Sequence, residues 1–297
     1  MISRRKGKQK YGKNLLVAPV LKWVGGKRQL LDLLVSLLPE KFSSYCEPFV
    51  GGGALLFRIQ PKMAFVSDIN DELIGVYRVI KEDVEALISA LQEYKNESEY
   101  FYNVRDWDRD REKYVSLPAV QKAARILYLN KTCYNGLFRV NSAGEFNSPF
   151  GNYRNPSIVN VSILRAVSSY FNTAKIHLSS NDYADTLKLI PKDTFTYLDP
   201  PYDPVSDTSS FTGYSKDGFK KDDQIRLREC CDDLDERGLK FMLSNSATDF
   251  IKEQYAAYNI TVIRAKRAIN SDSTKRGEVD EIIVRNYAEA GVGCRLR

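Results

Sequence analysis

Residues Thr194-Phe195-Thr196-Tyr197-Leu198-Asp199-Pro200-Pro201-Tyr202 decide how the rest of the chain is read. Phe195 to Leu198 alternates aromatic and aliphatic side chains with Thr, the pattern of a short buried strand. Two successive prolines follow. They lack backbone donors and fix φ, so neither a strand ladder nor a helix interior continues through them. The chain is therefore stiffened where it leaves the sheet, with the Asp199 carboxylate before the corner and the Tyr202 ring after it. In open α/β sheets, ligands bind at the carboxyl ends of strands. One acceptor and one stacking face at fixed separation suit a planar base that carries an amino group.

Other strand ends repeat the arrangement. Tyr45-Cys46-Glu47-Pro48-Phe49-Val50-Gly51-Gly52-Gly53-Ala54-Leu55 reads as a short strand closing on a glycine run that opens a helix. Glycine lets backbone crowd a ligand without a Cβ clash, as in dinucleotide-binding turns. The spacing is neither GxGxxG nor GxxxxGK[ST], so neither a standard dinucleotide site nor a nucleotide-hydrolase loop is expected. Lys62 to Val66 is the next strand, followed by Ser67-Asp68-Ile69-Asn70. Asp68 lies at the distance from the glycine turn that suits holding a ribose diol; a helix N-cap is the alternative. Pro19-Val20-Leu21-Lys22-Trp23-Val24-Gly25-Gly26-Lys27-Arg28 precedes a Leu-rich helix from Gln29 to Leu38, a setting for an anion or carboxylate. Downstream strands are expected at Lys175 to Leu178, ending in Asn181-Asp182-Tyr183, at Lys240 to Leu243, ending in Ser244-Asn245-Ser246, and as a pair at Ile260–Ile263 and Glu281–Val284. Asp222 to Arg237 reads as a helix whose early acids complement its dipole.

Between Asp71 and Val167 the strand–helix rhythm lapses. Helical patterns occupy 71–94, 97–108 and 118–131, and Thr132 to Tyr153 reads as a loop or hairpin. Gln121 to Arg139 holds Lys122, Arg125, Lys131 and Arg139 and no acid, with Tyr128, Tyr134 and Phe138 interleaved. Basic and aromatic side chains on a semi-rigid loop serve base-edge and phosphate reading. A helix packed by its aromatics with solvated charges is the alternative, and composition alone favours it. A second basic stretch, Arg264-Ala265-Lys266-Arg267 with Lys275-Arg276-Gly277, suits phosphate contact. The expected organisation is a basic tail at 1–14, a catalytic unit from 15–70 and 168–287, an inserted recognition unit at 71–167, and a tail at 288–297.

Composition narrows the classes. At 297 residues, 43% hydrophobic, with 18 Tyr and 14 Phe, the chain can bury a full core. It carries no apolar run of membrane-spanning length and no leader with an apolar centre, so a soluble cytoplasmic protein is expected. Cys46, Cys133, Cys230, Cys231 and Cys294 show no CxxC spacing, and His177 is the single histidine. No zinc set or other metal site is expected, and the lone histidine, read as an ordinary strand residue, argues against Ser-His-Asp and Cys-His hydrolases. Residues 1–14 carry six basic side chains and no acid, which accounts for the whole net charge of +6 and leaves 38 basic and 38 acidic side chains in the rest. Nucleic-acid affinity would thus come from the tail and from local patches.

Taken in order, these motifs resemble the DNA adenine-N6 methyltransferase (Dam) family, both solitary and restriction-associated enzymes, in its α-class arrangement. The resemblance runs from about 19 to 287. It is carried by Lys22-Trp23-Val24-Gly25-Gly26-Lys27, Glu47-Pro48-Phe49-Val50-Gly51-Gly52-Gly53, Asp68-Ile69-Asn70, Tyr134-Asn135-Gly136-Leu137-Phe138-Arg139, Asp199-Pro200-Pro201-Tyr202, and Arg276-Gly277 followed by Glu281-Ile282-Ile283-Val284. It implies an α/β fold: a Rossmann-like S-adenosylmethionine-dependent methyltransferase sheet with an inserted, mainly helical DNA-recognition domain. S-adenosylmethionine would be the methyl donor, with no metal. Trp23 and Lys27 would line its methionine end, Phe49, Gly51 and Gly53 its backbone-approach face, Asp68 its ribose, and Asp182 and Tyr183 its adenine, with Asp199 bordering donor and target. The family more often has Gly-Asp-Phe where this chain has Asn181-Asp182-Tyr183.

On the same resemblance, Asp199 and the Pro200 carbonyl would accept the N–H bonds of a flipped adenine while Tyr202 stacks on it. Asn135, Leu137 and Arg139 would enter duplex DNA, with Pro149, Tyr153 and Arg276 also in contact. Arg139 on a guanine edge would contribute about 1–3 kcal/mol of discrimination. The match of Tyr134 to Tyr153 with GATC-reading members makes GATC the expected target. A monomer is expected, with a dimer on DNA as the alternative. Rival substrates are cytosine N4, an RNA adenine and a protein glutamine; Asp rather than Ser before Pro-Pro-Tyr leans against cytosine, and the basic insert against protein. A rival of another class is a non-catalytic DNA-binding protein on the same scaffold, disfavoured because Asp199 and the glycine run are intact. No Pro-Cys of the kind a cytosine-C5 enzyme uses is present, and Cys230 and Cys231 read as packing residues.

Overall fold

The computed structural model describes residues 13–23, 25–27, 29–205, 218–266 and 278–288. A short helix, α1 (Leu31–Ser36), leads into β1 (Ser44–Glu47), and α2 (Ala54–Ile59) returns the chain to β2 (Met63–Ser67), parallel beside β1. Six helices then intervene: α3 (Asp71–Glu82), α4 (Val84–Gln92), α5 (Ser98–Arg105), α6 (Arg111–Ser116), α7 (Ala119–Thr132) and α8 (Val161–Thr173). β3 (Lys175–Ser179) follows, parallel beside β2 at the sheet edge. Helix α9 (Tyr183–Leu189) carries the chain back to β4 (Thr194–Leu198), on the opposite side of β1. Helix α10 (Lys221–Glu236) leads to β5 (Lys240–Ser246), and α11 (Asp249–Gln254) to an antiparallel pair, β6 (Asn259–Lys266) and β7 (Glu278–Arg285), with β7 inserted next to β5.

The strand order is β3-β2-β1-β4-β5-β7-β6, a seven-stranded, mostly parallel Rossmann-like sheet among the described residues. Winding runs outward from β1 through β2 to β3, then reverses to β4. The crevice between β1 and β4 is the switch point where such sheets bind ligands, so the fold itself brings the residues after β1, β2 and β4 to one edge.

Period-two alternation explains why these segments are central strands. Tyr45, Phe195, Tyr197, Met242 and Ile283 enter the core on one face, with the helices between β2 and β3. Their neighbours Cys46, Leu198, Phe241, Leu243, Ile282 and Val284 enter the core on the other, with α9, α10 and α11. Both faces are covered, as parallel sheets require. His177 stands exposed on edge strand β3, stacked on Phe65 with ring centres 4.9 Å apart, the ordinary strand residue expected. Cys231 is buried in α10, where burial pushes its thiol above the usual range.

Two expectations for the region 71–167 change. The helical pattern over 71–94 is two helices, because Asp83 leaves helical geometry (φ −149°) and its side chain accepts the Ala86 N–H at 3.3 Å, capping α4. Arg125 does not present its charge to a ligand. It is fully buried, 2.7 Å from Asp108 Oδ2, and donates to the carbonyls of Val104 and Arg105. A buried guanidinium needs this full set of partners; its place is the core of the helical insert. Among the described residues no helix is long and apolar enough to cross a membrane.

Candidate active site

Three acids end three adjacent strands: Asp68 after β2, Glu47 at the end of β1 and Asp199 after β4. Their surroundings differ. Asp68 Oδ2 accepts the Gly51 N–H and Oδ1 the Asn70 N–H, both at 3.0 Å. Burial raises its carboxyl above the usual range, and these two donors offset that in part. The cap of α3 is Asn70, whose side chain accepts the Leu73 N–H at 3.0 Å. Asp68 is thus the joint between the glycine turn and the second strand end, while Ile69 beside it is left 67% exposed.

The glycine turn is shaped by what it must admit. Gly51 has φ +46°, and a Cβ there would lie 2.7 Å from Trp23 Cδ1. Only glycine allows both the left-handed backbone and the indole's approach. The Gly51 carbonyl accepts the Tyr77 hydroxyl at 2.7 Å. Glu47 is buried, with Tyr45 donating to its Oε2 at 2.8 Å, and burial pushes its carboxyl up to about 8 despite that bond. A second group lies at the ends of β1 and β3. The Phe49 and Tyr183 rings are 5.0 Å apart, and Phe219 packs on both. Asp182 caps α9 through the Ala184 N–H and takes two bonds from Arg226, at 2.6 and 3.0 Å.

At the corner after β4, Lys27 is the organising cation. Its Nζ lies 2.8 Å from Asp199 Oδ1, donates to the Gly25 carbonyl at 2.9 Å, and sits 4.6 Å from the centre of the Tyr202 ring. Burial raises the Asp199 carboxyl, the Lys27 ammonium opposes that, and Glu281 adds to it. Tyr202 donates its hydroxyl to Glu281 Oε2 at 3.0 Å. The backbone around it is clamped from β5 and α10. Gln224 donates to the Pro201 carbonyl, Asn245 accepts the Asp203 N–H, Ser246 donates to the Asp203 carbonyl, and Thr248 to its carboxylate.

The predicted residues of the hairpin gather beside this site. The Tyr134 N–H bonds the Pro149 carbonyl and the Gly151 N–H bonds the Thr132 carbonyl, both at 2.8 Å, closing the hairpin at its base. Asn135, Arg139 and Pro149 are exposed and Leu137 and Tyr153 partly so; Arg139 Nε donates to Asn147 at 2.9 Å. Lys22 Nζ lies 5.5 Å from the centre of the Tyr153 ring. Asn130 fastens hairpin to glycine loop: its amide exchanges two bonds with the Lys22 backbone, at 2.8 and 2.7 Å, and donates to the Gly136 carbonyl at 3.1 Å. Trp23 stacks on Phe138 at 5.1 Å. Arg276 and the basic tail to Gly12 lie outside the described residues.

The described residues singled out at the strand ends thus gather around one crevice, with five additions. Glu281, Gln224 and Asn245 were visible only as strand and helix residues, and Phe219 and Arg226 not at all as site components. Their contacts with the corner and the aromatic pocket span tens of residues and leave no local motif.

Curated relatives match almost the whole chain. It is 44% identical over 271 residues, 91% of this chain and 95% of the relative, to a type II methyltransferase, M1.LlaDCHI, of Lactococcus lactis subsp. cremoris. It is 42% identical over 291 residues, 91% of this chain and 99% of the relative, to a type II methyltransferase, M.MjaIII, of Methanocaldococcus jannaschii. A DNA adenine methylase of Escherichia coli K12 is 33% identical over 267 residues, 89% of this chain and 93% of that protein. With residues 23–269 also matching the family as a whole, the chain belongs to the D12 class N6 adenine-specific DNA methyltransferases.

Proposed function

We propose that this chain transfers a methyl group from S-adenosylmethionine to N6 of an adenine flipped out of duplex DNA, within GATC. The observation that carries the reading is the corner at Asp199. A carboxylate and an aromatic ring are fixed at the carboxyl end of β4, and one lysine, Lys27, contacts both.

The residues present fit the donor. The missing Cβ of Gly51 leaves the Trp23 indole against backbone, and the Phe49, Tyr183 and Phe219 rings form an apolar wall at the neighbouring strand ends. Trp23 and Lys27 would hold its methionine end, Phe49, Gly51 and Gly53 its approach to backbone, Asp68 its ribose, and Asp182 with Tyr183 its adenine. A carboxylate has about four lone-pair sites, so Asp68 can accept a diol and keep both backbone bonds. Asp182 would share its oxygens between Arg226 and an incoming amine. When bound, S-adenosylmethionine supplies an electrophilic methyl group on sulfur.

The exocyclic amine of adenine is a poor nucleophile because its lone pair is delocalised into the ring. Ionised Asp199 and the Pro200 carbonyl would accept its two N–H bonds and draw that lone pair out of the ring, a placement of charge that forms the main catalytic term. Tyr202 would stack on the flipped base. Lys27 would leave the Tyr202 face as the base arrives. Asn135, Leu137, Arg139, Pro149 and Tyr153 would read the duplex, with Arg139 on a guanine, Arg276 on phosphate, and 71–167 serving as the recognition unit of a monomeric cytoplasmic enzyme. GATC rests on the likeness of Tyr134 to Tyr153 to GATC-reading members.

The test is incubation with labelled donor and a GATC duplex, followed by digestion to nucleosides. Label is expected in N6-methyladenine with wild type and absent with Asp199→Asn. Label in N4-methylcytosine, or equal label in the variant, overturns the reading. Equal methylation of a duplex lacking GATC overturns the target alone.

A further inference from the structure

A stacking ring is useful only if its plane is held when the base arrives. Tyr202 is held at its backbone by the bonds from Gln224 and Asn245 to the residues on either side. These fix where the ring begins but leave rotation about its side-chain bonds. At the far end the hydroxyl is donated to Glu281 Oε2 at 3.0 Å, with the Asp199 carboxylate also close enough to be steadied by it. Glu281 is no loop residue. It sits in β7 between two partners, opposite Ser246 of β5 and Ile263 of β6, so its carboxylate is referenced to the sheet that also positions Asp199. One face of the ring is marked by Lys27, 4.6 Å from its centre.

We propose that Glu281 is the positioning residue for the target base, locking the Tyr202 ring parallel to the slot that Asp199 borders. This rests on the reading that Tyr202 stacks on a flipped adenine. A glutamine at 281 can accept the same bond; an alanine cannot. If Glu281 acts only through the hydroxyl, removing the hydroxyl makes the carboxylate irrelevant. A merely structural glutamate would show neither property.

The experiment measures single-turnover methylation of a GATC duplex at saturating donor by wild type, E281A, E281Q, Y202F and E281A/Y202F. A parallel titration follows 2-aminopurine placed at the target adenine, and calorimetry follows S-adenosylhomocysteine binding. Losing a bond to a charged acceptor is expected to slow E281A and Y202F each about tenfold, with E281Q within about threefold of wild type. The double variant is expected to be no slower than Y202F. The 2-aminopurine signal should brighten in E281A as stacking loosens, and product affinity should stay within about twofold. Multiplying effects in the double variant, or an E281A defect carried by weaker S-adenosylhomocysteine binding, overturns the proposal. Absence of N6-methyladenine with wild type instead overturns the function on which it rests.

Discussion

Asp68 and Asp199 are the same residue type in the same place, each just past a parallel strand that flanks β1, yet the protein treats them oppositely. Asp68 is held by the Gly51 and Asn70 backbone N–H groups. Asp199 is met on Oδ1 by a lysine side chain at 2.8 Å. Backbone donors cannot leave without unfolding the turn; an ammonium on a flexible stem can. The first arrangement makes a carboxylate part of the architecture. The second compensates a carboxylate with a side chain that can move away from it.

That contrast can be broken in four ways. Asp199→Asn should have the largest effect, lowering methyl transfer on the order of 10²–10³-fold. Its melting temperature should stay within about 2 °C of wild type, because the uncharged amide can still meet Lys27. Quenched-flow rates and a thermal melt check this pair; a large loss of stability would mean that Asp199 is architecture too. Asp68→Asn should cost both properties, since an NH₂ would face one of the two backbone donors. Leaving one unsatisfied costs about 1–3 kcal/mol, at roughly 2–4 °C each. Donor binding should weaken about tenfold, and calorimetry with the melt tests it.

Glu47, between the two in the sheet, sharpens the comparison through pH. Its folded-state carboxyl is raised to about 8 by burial, so the neutral form is the one the fold favours. Its stabilising contribution is full below the usual carboxylate range near 4.5 and is lost as pH rises through about 8. Glu47→Gln stays neutral throughout. The melting temperature of the variant minus that of wild type should therefore grow by several degrees between pH 6 and pH 8.5; an unchanged gap would show Glu47 ionised in the fold. The smallest effect concerns Glu281, whose charge helps raise the Asp199 carboxyl. If transfer needs Asp199 ionised, activity falls as pH drops through its folded value. Glu281→Gln should move that acid limb to lower pH, read from single-turnover rates against pH.

The fold was legible because its information is local. Period-two runs such as Tyr45-Cys46 and Phe195 to Leu198 supply both faces of the sheet, and each strand end carries its own glycine or acid. The acids at the strand ends were legible for the same reason. What was not legible depends on distance along the chain. Arg125 and Arg139 share one basic run, yet one is sealed against Asp108 in the core and the other is exposed beside Asn147. Charge composition cannot say which side of a helix meets the core. The bidentate hold of Arg226 on Asp182 spans 44 residues and the bond that Tyr202 donates to Glu281 spans 79, with no spacing rule to announce either. The break at Asp83 was open to reading as a cap, but the apolar pattern runs through it.

Asn130 bears on how this protein can be rebuilt. Its one amide spans two stretches of backbone, and a Cβ on Gly136 would lie 2.6 Å from Lys22 Cδ. A hairpin borrowed from another methyltransferase would therefore not arrive as a detachable cassette. The smallest transplantable piece is the hairpin together with Asn130, Lys22 and Trp23, although those last two lie more than a hundred residues away along the chain.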